Sequence, residues 1–151
     1  MSFPTLLGAA QRTYSAVIRS ALADTGYADM PFAGYWITGF LASGVPGLQD
    51  LASRLTVSKQ ATSRIIDVLV KRGYCVRTSD PTDRRRMTLV LTDRGRAAAR
   101  EIRRAIERLN EDLAARVATG DIAATRATLA TLVAMGREAR LRNASAGEPT
   151  R

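Results

Sequence analysis

The sequence predicts a mainly α-helical protein with one small β-hairpin, on three observations. Apolar residues recur at threes and fours through residues 4–23, 32–42 and 93–117. One stretch breaks that rhythm: Met87, Leu89 and Leu91 alternate with Thr88 and Val90, the period of a half-buried strand. Between these regions, residues 49–94 line up a short helix, a tight turn, a longer helix and two strands joined by an arginine-rich loop.

Each element has its own signals. The first helix, about 4–23, carries Leu6, Leu7, Ala10, Tyr14, Val17, Ile18, Ala21 and Leu22 as one apolar stripe, and Thr25-Gly26 ends it. Residues 28–31 connect to a second helix, about 32–42, with Phe32, Trp36, Ile37, Phe40 and Leu41 on one side. Gly44, Pro46 and Gly47 break the chain before a short helix holding Leu48, Leu51, Ala52 and Leu55. Thr56-Val57 interrupts it, and Ser58 is a good N-cap for the next helix. That helix has an apolar stripe of Ala61, Ile65, Val68 and Leu69. Its other face carries Lys59, Gln60, Thr62, Ser63 and Arg64, all hydrogen-bond donors. Gly73 closes it, as glycine does where a left-handed residue is needed. A helix, a turn and a donor-rich helix make a helix-turn-helix, whose second helix lies in the major groove of DNA. Strands at 74–78 and 87–91 flank Asp80-Pro81-Thr82-Asp83-Arg84-Arg85-Arg86, a turn followed by three surface arginines, and such a hairpin turns the motif into a winged helix. Thr92 then caps a helix of about 25 residues, with Ala98, Ile102, Ala105, Ile106, Leu109, Leu113 and Val117 on one stripe. Thr119-Gly120-Asp121 turns into a last helix bearing Ile122, Leu129, Leu132, Val133 and Met135, and a polar tail is expected from Asn143.

At this point the chain resembles the MarR family of bacterial transcription regulators. The matching residues are Asp50-Leu51-Ala52, Val57-Ser58, Ser63-Arg64, Leu69, Gly73, Arg77, Asp80-Pro81, Asp83-Arg84-Arg85, Leu91-Thr92 and Gly95, about a third of the chain. The resemblance implies a homodimer with two winged lobes, with Arg85 entering the minor groove and Asp83 bracing its guanidinium. Arg84 and Arg86 hold the hairpin by ion pairs or touch phosphate. The resemblance also implies a small aromatic or amphipathic effector in a cleft beside the lobe. Tyr14, Trp36 and Phe40 are candidates to line it, against the alternative that they are core. Some relatives sense oxidants through a cysteine near the N-terminus. Cys75 instead falls in the first wing strand, where a buried aliphatic is usual, so a structural role is expected.

Burial and charge agree with that picture. At 151 residues the chain is long enough for a real core, but the terminal helices carry apolar stripes outside the winged helix. A two-fold helical interface between copies is the economical way to bury them, against a monomer that folds its termini together. The expected layout is an N-terminal dimerisation helix (1–31), a winged helix-turn-helix (32–95), C-terminal dimerisation helices (96–142) and a disordered tail (143–151). From Arg54 to Arg104 there are 14 Lys and Arg against 5 Asp and Glu, leaving 9 of each elsewhere, so the whole excess charge sits on the winged helix and the start of the next helix. That is the footprint of a face that binds a polyanion. Arginine bias would explain the choice of Arg over Lys but not the clustering.

Other classes fit poorly. The chain has no His, which removes His-based triads and most transition-metal sites, and it has no CxxC, GxGxxG or GxxxxGK[ST]. No enzyme activity, metal or cofactor is expected. No run approaches the ~20 apolar residues of a membrane span, and the lone cysteine, with no signal-peptide layout at Met1-Ser2-Phe3-Pro4, fits the cytoplasm. The expected function is sequence-specific binding of double-stranded DNA as a transcription regulator, a repressor on a palindromic operator released by a small ligand. The alternative is an architectural or protein-binding winged helix without ligand control. On the recognition helix, Gln60 is the best candidate for a bidentate adenine contact; Ser58 is expected to be more a cap than a reader.

Overall fold

The computed structural model describes residues 1–44, 58–79 and 87–146. Its elements are α1 (Phe3–Asp24), α2 (Gly34–Ala42), α3 (Lys59–Lys71), β1 (Cys75–Ser79), β2 (Met87–Leu91), α4 (Asp93–Ala114) and α5 (Asp121–Ala146). The expected short helix around residues 48–55 and the wing tip at 80–86 lie outside the described residues. The chain divides into two compact units, Met1–Leu109 and Asn110–Arg151.

In the first unit, one core joins every element from α1 to the first half of α4. Ile18 and Leu22 come from α1, Tyr35 and Ile37 from α2, Ile66 and Leu69 from α3, Leu89 and Leu91 from β2, and Ala98, Ala99 and Ile102 from α4. The strands pair antiparallel in the register Cys75↔Leu91 to Ser79↔Met87, and the hydroxyls of Thr78 and Thr88 meet across the ladder at 2.8 Å.

Helix ends follow the expected chemistry. Ser58 caps α3, its Oγ accepting the Ala61 N–H at 3.1 Å. At the other end Gly73 adopts φ +74°; its N–H reaches the Val70 carbonyl, and the Tyr74 N–H reaches that of Leu69. This is the paired closure in which a left-handed glycine satisfies two orphan carbonyls and the next residue packs back on the helix. Thr92 begins α4, accepting the Gly95 N–H on its Oγ1 at 3.0 Å and donating to the Gly73 carbonyl.

Several expectations need correction. α2 starts at Gly34 rather than near 32, because residues 31–34 form a tight turn closed by the Gly34 N–H on the Pro31 carbonyl. Phe32 is consequently exposed, edge-on to Tyr35, and the buried face of α2 is Tyr35, Ile37 and Thr38. On α3 the buried line is Thr62, Ile66 and Leu69, while Ala61, Ile65 and Val68 are half-buried, so the inward stripe is rotated from the one expected. α4 ends at Ala114, where the Arg116 N–H bonds three residues back to Leu113 and tightens the chain out of the helix. α5 continues to Ala146, past the point where a disordered tail was expected; Gly147 is the first helix-breaker after Asn143.

Candidate nucleic-acid interface

α3 presents a polar outer row because its inner row is fixed by burial. Lys59, Gln60 and Arg64 are exposed and Ser63 is half-exposed, all within two turns of the helix start. Thr62 departs from the expected set. It is fully buried and its hydroxyl donates to the Ser58 carbonyl, so it packs the helix rather than facing outward. Ser58 is exposed, but its side chain is occupied as the cap.

Two sets of contacts hold this helix in place, and sequence reading missed both. In the first, Asp67 on the outer side of α3 pairs with Arg77 of β1, tying the helix to the wing. In the second, the Tyr74 hydroxyl donates to Asp29 in the α1–α2 connection, and Arg94 donates to the same carboxylate at 2.8 Å. The Arg94 guanidinium lies 4.7 Å from the Tyr74 ring centre and 5.3 Å from that of Tyr27, and Arg72 donates to the Asp29 carbonyl. The hydrogen bond from Tyr74, together with the positive charge of Arg94, holds the Asp29 carboxyl below its ordinary range. Burial, and then the bond to Asp29, pushes the Tyr74 phenol up to about 12. Only the aromatic and arginine types hinted at this cluster, because its members are up to 65 positions apart.

Close packing leaves no room for a side chain at two glycines. A Cβ on Gly34 would come within 2.9 Å of Leu69, and one on Gly95 within 1.9 Å of the Tyr74 carbonyl oxygen. The second is a backbone contact, so the start of α4 is seated directly on the turn that follows α3.

The remaining candidates divide. Asp83, Arg84, Arg85 and Arg86 lie outside the described residues. Tyr14, Trp36 and Phe40 are half-buried, with Phe40 packed on the core, and none of them lines either of the two described clefts. Cys75 is fully buried, and burial raises its thiol pKa, which keeps it protonated. Among the described residues no group of His, Cys, Asp and Glu could hold a metal ion, and no helix is long and apolar enough to cross a membrane.

A helix with a donor-bearing outer face, strapped to a two-stranded wing, defines the winged-helix class. Residues 42–87 match the MarR family profile. A relative from Thauera aromatica, named for a proposed role in transcriptional regulation of the hcr operon, is 34% identical over 78 residues, covering 50% of this chain. The chain spans about half the length of that relative, 47%. Among solved structures, CouR of Rhodococcus jostii RHA1 bound to p-coumaroyl-CoA superposes with a TM-score of 0.71 at 21% identity, over 85% of this chain and 89% of that one. The transcriptional repressor CouR bound to a 23-mer DNA duplex gives 0.67 at 26% identity, over 87% and 92%. The MarR family match covers residues 42–87, under a third of the chain.

Proposed function

We propose that the protein is a homodimeric transcription regulator that binds double-stranded DNA sequence-specifically, represses from a palindromic operator, and is released by a small ligand. The observation that carries this reading is the outer face of α3. Lys59, Gln60 and Arg64 are exposed, with Ser63 half-exposed beside them, on a helix whose opposite side is locked into the core. Such a helix can enter a major groove without repacking, with cations to phosphate and the Gln60 amide to a base edge. A 26%-identical repressor bound to a DNA duplex supports it. In the same reading Arg85 enters the minor groove with Asp83 beside it, and Arg84 and Arg86 flank the contact.

The dimer is assigned to residues 1–31 and 96–142, because Phe3, Leu6, Leu113, Leu132, Val133 and Met135 are exposed in the single chain. Binding rather than catalysis is the assigned activity, and the cytoplasm its place. Selecting DNA from a random pool with the purified protein is the test. An enriched inverted repeat is expected, with half-sites about one helical turn apart. Enrichment of no sequence, or of an unrepeated one, sinks the reading.

A further inference from the structure

Only Ser15, Ile18 and Leu22 of α1 are buried, all in its second half. Residues 3–14 therefore project about 18 Å past the first anchored side chain, at ~1.5 Å per residue. The Ser15 hydroxyl is spent on the Gln11 carbonyl of the same helix. Apolar burial is non-directional, so Ile18 and Leu22 hold α1 on the lobe without fixing its angle. A directional tie is needed where the helix leaves, and Asp29 supplies one. The Tyr27 N–H closes α1 on the Leu22 carbonyl at 2.8 Å, and the Tyr27 ring stands edge-on to Tyr74, with centroids 6.4 Å apart. Two residues further on, the Asp29 carbonyl accepts from Arg72, the last residue of the α3 end. One carboxylate oxygen of Asp29 accepts from both the Tyr74 hydroxyl and Arg94, in the first turn of α4. Arg94 also reaches the Tyr74 hydroxyl at 3.1 Å. The exit of α1, the exit of α3 and the entry of α4 thus meet at a single residue, through charge-assisted bonds that have a direction.

We propose that Asp29 is a positioning residue for DNA recognition: it sets the angle between α1 and α3, and thereby the half-site spacing that the protein accepts. In the assignment above, α1 belongs to the two-fold interface and α3 carries the base-reading face. Slack at Asp29 is then slack between the two recognition helices. About 10° at the joint swings the far end of α1 by about 3 Å, close to the ~3.4 Å rise of one base pair. The effect on spacing rests on the homodimeric regulator proposed above; the joint itself does not.

Two measurements on the full-length protein test it. The first needs no DNA. Spin labels are placed at the exposed positions Gln11→Cys on α1 and Lys71→Cys on α3, in a Cys75→Ala background. Labelled protein is diluted into an excess of unlabelled protein, so that only distances within one chain are read. A single narrow distance is expected, and Asp29→Ala should broaden it or move it by about 3 Å. Tyr74→Phe, which removes one hydroxyl, should act in the same direction, and it decides the matter should Asp29→Ala fail to fold. Asp29→Asn keeps the accepting oxygen and should restore most of the narrow distance. The second measurement compares affinity for the selected inverted repeat with affinity for versions one base pair longer or shorter between half-sites. Asp29→Ala should lower the discrimination against wrong spacing about five-fold, the upper range for an exposed ion pair. Base preference within each half-site and the slope of affinity against salt should stay unchanged, which a general loosening of the fold would not allow. A label distance unaltered by Asp29→Ala and Tyr74→Phe overturns the proposal. So does spacing discrimination that survives a shifted distance, or base preference lost in step with it. Selection of no inverted repeat counts against the regulator reading, and the label distance still decides the joint.

Discussion

At the level of single residues, Gly95 is the position with least freedom. Its missing side chain lets the Tyr74 carbonyl approach to where a Cβ would stand, 1.9 Å away. Gly95→Ala must push backbone against backbone, and a loss on the order of 3 kcal/mol or more is expected, at the upper end for overpacking. Urea unfolding of the variant checks this, and an unchanged midpoint would contradict the contact. Asp29 makes a pH-dependent contribution. Its folded pKa is lowered, so its contribution is present above its unfolded pKa and is lost as pH falls through the folded value. Tyr74 has a raised folded pKa, so its share is complete below 10.0 and is lost as pH rises toward about 12. The stability gap between the wild type and Asp29→Asn should therefore be flat near neutrality and close at both extremes. Because the Asp29 and Arg94 side chains are 45% and 40% exposed, the gap should be only ~0.2–1 kcal/mol.

At the level of elements, the proposed recognition role of α3 predicts a division of work between charge and shape. Arg64→Ala should weaken binding to most sequences and flatten its salt dependence by about one unit of slope per subunit. Gln60→Ala should leave that slope alone, cost on the order of 1–3 kcal/mol on the selected site, and relax preference at one position per half-site. Affinity across a salt series on the selected site and its single-base variants separates the two, and identical behaviour would refute the assignment. This helix also shows what could be read in advance. Ser58 and Gly73 announced its ends because caps are local chemistry, and alternation over five residues announced strand β2. The inward role of Thr62 could not be seen, because a threonine reads as polar until a neighbouring core covers it and its hydroxyl turns back to Ser58. Nor could the Asp29–Tyr74–Arg94 cluster, since tertiary packing alone brings its members together.

At the level of the whole molecule, the terminal helices leave several large apolar side chains exposed in the single chain. Leu113 is 42% exposed, Leu132 also 42% and Val133 53%. Introducing Leu113→Lys with Leu132→Lys should give a folded but monomeric protein, because both side chains already reach solvent in the single chain. Sedimentation should show half the native mass and operator affinity should fall steeply, since two half-sites would no longer be engaged together. An intact dimer after that change would move the interface elsewhere.

The seat of α4 on the turn before the wing also has a genetic consequence. Every amino acid reachable from a glycine codon by one nucleotide change carries a Cβ. At codon 95 each such change places that atom against the Tyr74 carbonyl. No missense point mutation at this codon should survive a selection for operator binding, whatever polarity or charge it introduces. By contrast, codons for outward residues such as Val133 or Arg103 should tolerate chemically conservative replacements.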